Sequence, residues 1–89
     1  MLIDAFKNTA DSLTAPASRC VAITPDDSED LHEAPKAIYI GTGGDLVVQP
    51  LDGNQDVVFR NTISGSILDI RVKAVRATGT NAQDIVGLF

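Results

Sequence analysis

Tryptophan is missing from this chain of 89 residues, and its aromatic side chains stop at Tyr39 and three phenylalanines. A core without large rings must be assembled from Val, Ile, Leu and Ala, and exposed aromatic platforms of the kind that sugars stack on are scarce. Cysteine is limited to Cys20, so an intrachain disulfide cannot form. No CxxC or HxxxH spacing occurs, so a structural zinc is not expected. No stretch approaches the ~20 apolar residues that a membrane span requires. The first residues lack a basic region followed by an apolar run, so no secretory signal is expected. Basic residues are also scarce, with 7 Lys and Arg against 12 Asp and Glu and a net charge of −5. Nucleic-acid affinity depends on lysine and arginine displacing counterions, so DNA and RNA are not expected partners.

The length allows one domain and is short for two. A domain this small hides only roughly 60–65% of the surface that its unfolded chain exposes. Small domains offset that shortfall with disulfides, metals or partner subunits. With the first two excluded, the composition points to a homo-oligomer.

Residues 1–18 read as an N-terminal arm, and 19–89 as the single folded domain. Leu2, Ile3, Phe6 and Leu13 have a roughly helical spacing, but Thr9, Ser12, Thr14 and Pro16 weaken a helix. Phe6 and Leu13 are the candidate anchors of the arm. Arg19 to Thr24 reads as a first strand, ended by Pro25, with Cys20 as a small buried hydrophobe. The acidic run from Asp26 to Asp30 reads as one helical turn capped by Asp26 or Asp27.

From Lys36 onward the pattern is β. Ala37 to Ile40 is a compact run of β-formers, Gly41 to Asp45 is a turn, and Leu46 to Gln49 is the returning strand. Asp52-Gly53-Asn54 is a hairpin signal, leading to a strand over Asp56 to Arg60. After Ser64-Gly65-Ser66, the residues Leu68, Ile70, Val72 and Ala74 alternate with Asp69, Arg71 and Lys73. The phase slips at Ala74-Val75, which predicts a β-bulge. Thr78 to Asn81 is a turn, and Asp84 to Phe89 a last strand. About six to seven short strands separated by turns, with no crossover helix, predict an all-β fold, a small antiparallel β-sandwich or barrel.

Little in the chain suggests chemistry. The glycine run at Gly41 to Asp45 lacks the lysine and the following helix of a phosphate loop. The acidic run lacks the alternating ligands, central glycine and distal glutamate of a calcium loop. His32 and Cys20 have no catalytic companions recognisable by spacing. No cofactor is expected.

The ordered set of short segments is more informative than any one of them. Ile23-Thr24-Pro25-Asp26-Asp27 precedes Asp30-Leu31, and Ala37-Ile38-Tyr39-Ile40-Gly41 precedes Gly44-Asp45-Leu46. Gly65 to Val72, Val75, Ala77-Thr78-Gly79-Thr80, Ile85 and Gly87-Leu88 then follow in order. Beyond about residue 16, the chain resembles the head spike base proteins of gene transfer agents and tailed phages. The resemblance implies a structural, non-enzymatic virion protein on the outer surface of an icosahedral head. It implies a homo-oligomer at capsid vertices, a pentamer in preference to a trimer, with the major capsid protein and a head fibre or spike protein as partners. A trimeric capsid cement at capsomer junctions and a stand-alone carbohydrate-binding sandwich are the alternatives. A ring needs two complementary sides on each subunit. The acidic residues Asp26, Asp27 and Asp30 on one side, and Arg60, Arg71, Lys73 and Arg76 on another, are the candidate contacts, together with Phe6 and Leu13.

Overall fold

The computed structural model describes residues 16–89. Within them lie seven strands, β1 (Cys20–Ala22), β2 (Ala37–Thr42), β3 (Leu46–Pro50), β4 (Val57–Phe59), β5 (Ser66–Leu68), β6 (Val72–Arg76) and β7 (Gln83–Leu88). They form two antiparallel sheets, ordered β1-β7-β2-β5 and β4-β3-β6. The expected all-β sandwich is therefore the fold.

Strand alternation selects the core. Ile38 and Ile40 flank outward-facing Tyr39 on β2, and both are fully buried. With Ile85 of β7 they form one layer of the core; Leu46 and Val48 of β3 and Val72 and Val75 of β6 form the other. Burying one such side chain stabilises by about 1.5–3 kcal/mol. No polar or charged residue is buried among the described residues.

The expected hairpin between β2 and β3 does not form. Each strand joins a different sheet, so Gly41 to Asp45 is a crossover between layers. The crossover is held by exchange of backbone hydrogen bonds between Gly44 and Thr62, at 3.1 and 2.8 Å. A side chain at Gly43 would run into the Thr62 carbonyl and the Ser64 amide, so the close approach itself requires glycine there. The hairpin expected around Gly53 does form, joining β3 to β4.

The alternating run from Leu68 is also divided between the sheets: β5 pairs with β2, whereas β6 pairs with β3. Inward parity survives the passage, because Leu68 and Ile70 pack against the core from the side and Val72 enters it. The predicted bulge is present. Gln49 faces Ala74 but Pro50 faces Val72, which leaves Lys73 as the extra residue. That insertion lets Val72 and Val75, three positions apart, share the buried face.

The first strand is shorter than expected, and Cys20 is exposed, not buried. β1 is an edge strand, and Cys20 faces away from the core. Of the segment read as an arm, residues 16–18 are described, and the Ser18 amide donates to the Phe89 carbonyl at 2.7 Å. Phe6 and Leu13 lie outside the described residues.

Candidate functional site

The acidic segment is not a helical turn. It runs along the outer edge of β6, where the Asp26 and Leu31 amides donate to the Val75 and Lys73 carbonyls at 2.9 and 2.8 Å. The capping chemistry survives without the helix. Asp26 Oδ1 accepts from the Ser28 amide at 2.8 Å and the Glu29 amide at 3.2 Å. Asp27 Oδ1 accepts from the Ala77 and Thr78 amides at 2.9 and 2.8 Å, and its second oxygen from the Thr78 hydroxyl. Bonds from Ser28, amide and then hydroxyl, chiefly hold Asp26 below the usual carboxylate range. The Thr78 hydroxyl and amide do the same for Asp27. A hydrogen-bond donor that stabilises the charged carboxylate lowers its pKa.

Arg76 does not stand on a separate side from these acids. Its guanidinium reaches Asp30 at 3.3 Å, Asp56 at 3.4 Å, and the Asp26 and Asp27 carbonyls at 3.4 Å. The side chain is only 14% exposed. Within one chain it therefore fastens the acidic segment to the end of β6. Arg71 donates to the Ala34 carbonyl at 2.9 Å, while its Nε is buried without a partner. Arg60 pairs with Asp45 at 3.0 Å but is 70% exposed. Lys73 is half-buried at the bulge. The structure thus brings Asp26, Asp27, Asp30 and Arg76 together and leaves Arg60 elsewhere.

Sequence reasoning missed the apolar outer face of the β1-β7-β2-β5 sheet. Strand register places Cys20, Leu88 and Ala37 in one row across the sheet. Ala22, Val86, Tyr39 and Ile67 form the next row. No charged residue interrupts either row. Tyr39 is 37% and Ile67 58% exposed. The signal was present in the sequence as Tyr39 between two isoleucines, but the pairing that aligns it with Ile67 was not.

The two flanks of the sandwich differ. On one, β4 and β5 have a hydrogen-bonded neighbour on one side only among the described residues, and Phe59, Thr62, Ile63 and Leu68 help to line a shallow cavity of about 290 Å³. On the other, Val21, Ile23, Leu31 and Phe89 line a cavity of about 330 Å³ beside His32 and Glu33. Arg19 spans this second flank, stacking 4.4 Å from the Phe89 ring centroid and pairing with Glu33 at 2.6 Å. Among the described residues, no three His, Cys, Asp or Glu are grouped so as to hold a metal. No helix there is long and apolar enough to cross a membrane.

An antiparallel sandwich with an apolar outer face and two unlike flanks places the chain in the class of small β-sandwich modules. No protein-family model matches the chain, and no curated protein matches it. Among solved structures, it is similar to a chain in the capsid of a native GTA (gene transfer agent) particle computed with C5 symmetry. The identity is 41%, the TM-score 0.81, and the match covers 98% of this chain and all of the other. The chain belongs to the family of that capsid-particle protein.

Proposed function

We propose that the chain is a structural, non-enzymatic component of a phage-like particle, an oligomeric base on the outside of the head at its vertices that anchors a spike or fibre. The observation that carries this reading is the 41% identity, end to end, with a chain of a GTA capsid. A vertex position implies fivefold symmetry, hence a ring of five copies in preference to three. A ring joins one face of each subunit to a different face of the next, and the unlike flanks supply two such faces. Exposed Arg60 on the β4–β5 side and the exposed acids Asp26 and Asp30 on the other are the charges available to set the register between copies. The major capsid protein is the partner beneath the ring, and a fibre protein the partner above it.

Native mass spectrometry of the purified protein, with cryo-electron microscopy of purified particles, tests the proposal. A five-copy ring, and density for the chain on the outer surface at the fivefold axes, is the expected result. A three-copy ring with density at capsomer junctions assigns the chain to cement instead. Absence from purified particles ends the virion reading.

A further inference from the structure

We propose that the four-stranded sheets of neighbouring copies join edge to edge, β5 of one copy pairing antiparallel with β1 of the next, so that one sheet runs around the ring. The proposal rests on the ring reading above and names the contact that builds it. Backbone hydrogen bonds fix what each edge offers. The Arg19 amide bonds to the Phe89 carbonyl, the Phe89 amide to the Arg19 carbonyl, and the Ile23 amide to the Ile85 carbonyl. Antiparallel ladders alternate, so Val21 bonds inward to Gly87, while Cys20 and Ala22 turn their amides and carbonyls outward. At the other edge the Ile40 carbonyl is turned to β5, where it accepts from the Gly65 amide at 2.7 Å. By the same alternation Ser66 and Leu68 bond inward to Ile40 and Ile38, and Ile67 turns its amide and carbonyl outward. Among the described residues, none of these outward groups has a hydrogen-bond partner. Neither edge strand, Cys-Val-Ala or Ser-Ile-Leu, carries the charge or proline that blunts a sheet edge.

Strand direction selects a second copy of this chain as the occupant. β1 and β2 run one way, β7 and β5 the other. β5 is therefore antiparallel to the β1 of any copy that points the same way along the ring axis, as rotational symmetry requires. The second sheet has no equivalent pair of edges, because the acidic segment already bonds to the Val75 and Lys73 carbonyls of β6. Parity agrees as well. Cys20, Ala22 and Ile67 all stand on the outer face, so a pairing of Ile67 with Cys20 or Ala22 keeps each copy's inner face turned to the core side.

The same pairing shuts the two open flanks of the sandwich against each other. Inner-facing Val21, 44% exposed, stands at the mouth of the cavity lined by Ile23, Leu31 and Phe89. Phe59 and Leu68 line the cavity beside β5. Bringing the two together removes apolar surface from water on both sides of the joint. The rims differ in sign: exposed Arg60 lies at the β5 cavity and Glu33 at the β1 cavity. Opposite charge favours this flank-to-flank order over like flanks meeting.

The chain carries half of its own test, because its sole cysteine, Cys20, stands on β1. Full-length Ile67→Cys protein covers the register in which Ile67 meets Cys20. Cys20→Ser/Ala22→Cys/Ile67→Cys covers the register in which it meets Ala22. Directly paired residues have Cα atoms about 5.5 Å apart, inside the range of about 4.4–6.8 Å that a disulfide accepts. On oxidation with diamide, one of the two variants is expected to lose its monomer band. It then runs on a non-reducing gel as a closed oligomer with the copy number of the native ring. Wild type and Cys20→Ser/Ile67→Cys, each with a thiol on one edge only, are expected to stay monomeric on that gel. Ile67→Pro removes the outward amide at an edge position that tolerates proline. It is expected to keep native far-UV circular dichroism and to lose the ring in native mass spectrometry. Rings that cross-link in neither register, or that survive Ile67→Pro, overturn the strand pairing and leave the ring reading standing. Disulfide dimers from either single-edge protein also overturn it, because they join like edges. Monomers throughout, before and after oxidation, overturn the pairing and the ring together.

Discussion

Replacing Arg76 by alanine is expected to cost far more stability than replacing Arg60, although Arg60 makes the shorter ion pair. Arg60 meets Asp45 at 3.0 Å with its side chain 70% exposed, whereas Arg76 meets its partners at 3.3–3.4 Å while only 14% exposed. An exposed pair is worth about 0.2–1 kcal/mol, because water and salt screen it. Hydrogen bonds from a charged group sheltered from water are worth about 1.5–3 kcal/mol each when well formed. The Arg76 bonds are long, so counting its set as one to two full bonds gives about 2–3 kcal/mol. In a domain of this size 1 kcal/mol shifts Tm by about 4–8 °C. Arg76→Ala should therefore lower Tm by about 8–24 °C, and Arg60→Ala by about 1–8 °C. Thermal unfolding followed by circular dichroism at two protein concentrations is the assay. The intrachain account requires a shift that does not change with concentration. Equal shifts for the two variants, or an Arg76 effect present only in the oligomer, would refute the reasoning that burial outweighs distance here.

Acidification tests Asp26 and Asp27. Because both are held below the ordinary value of 3.8 in the folded chain, their contribution is present above that pH and is lost as pH falls through the folded values. The urea midpoint of the wild type should drop steeply below pH ~4, and that of Asp27→Asn should be lower at neutral pH and flatter in acid. Ile40→Ala, at a fully buried position of β2, should destabilise by about 2–5 kcal/mol in urea titration. Ile63→Ala, 74% exposed, should stay within about 0.5 kcal/mol of the wild type. Gly43→Ala should be among the most damaging small substitutions, because the backbone of Thr62 to Ser64 meets the new methyl group. Loss of soluble protein, or a large fall in Tm, is the expected readout.

The strand segments were legible because turn residues punctuate them and Tyr39 alternates with its neighbours. The partnering of strands was not legible. A glycine-rich gap such as Gly41 to Asp45 serves a hairpin or a layer crossover equally well, and the choice is made by Thr62, seventeen residues beyond Asp45. The slip at Ala74-Val75 did disclose the bulge, because a change of parity within a strand has few other causes. The acidic run misled for a related reason. Asp26 caps as its type predicts, but the backbone that would close a helical turn is taken by the carbonyls of β6. Charge content revealed Arg76 and Asp30 as candidates without revealing that they face each other in one chain. Cys20 was misplaced because burial depends on whether a strand is central or marginal, which no local pattern encodes.

The β4-β3-β6 sheet has a finished margin and an unfinished one. Along β6 the chain's own acidic segment occupies the carbonyls of Lys73 and Val75, while among the described residues β4 pairs only inward to β3. A guest strand can zip onto β4 alone, and a second copy docking there through its own β4 leaves no further margin to extend. Among the described residues this sheet therefore offers one free margin for strand pairing between copies, and not two. A ribbon that extends without end needs two free margins on each copy, and this layer offers one among the described residues.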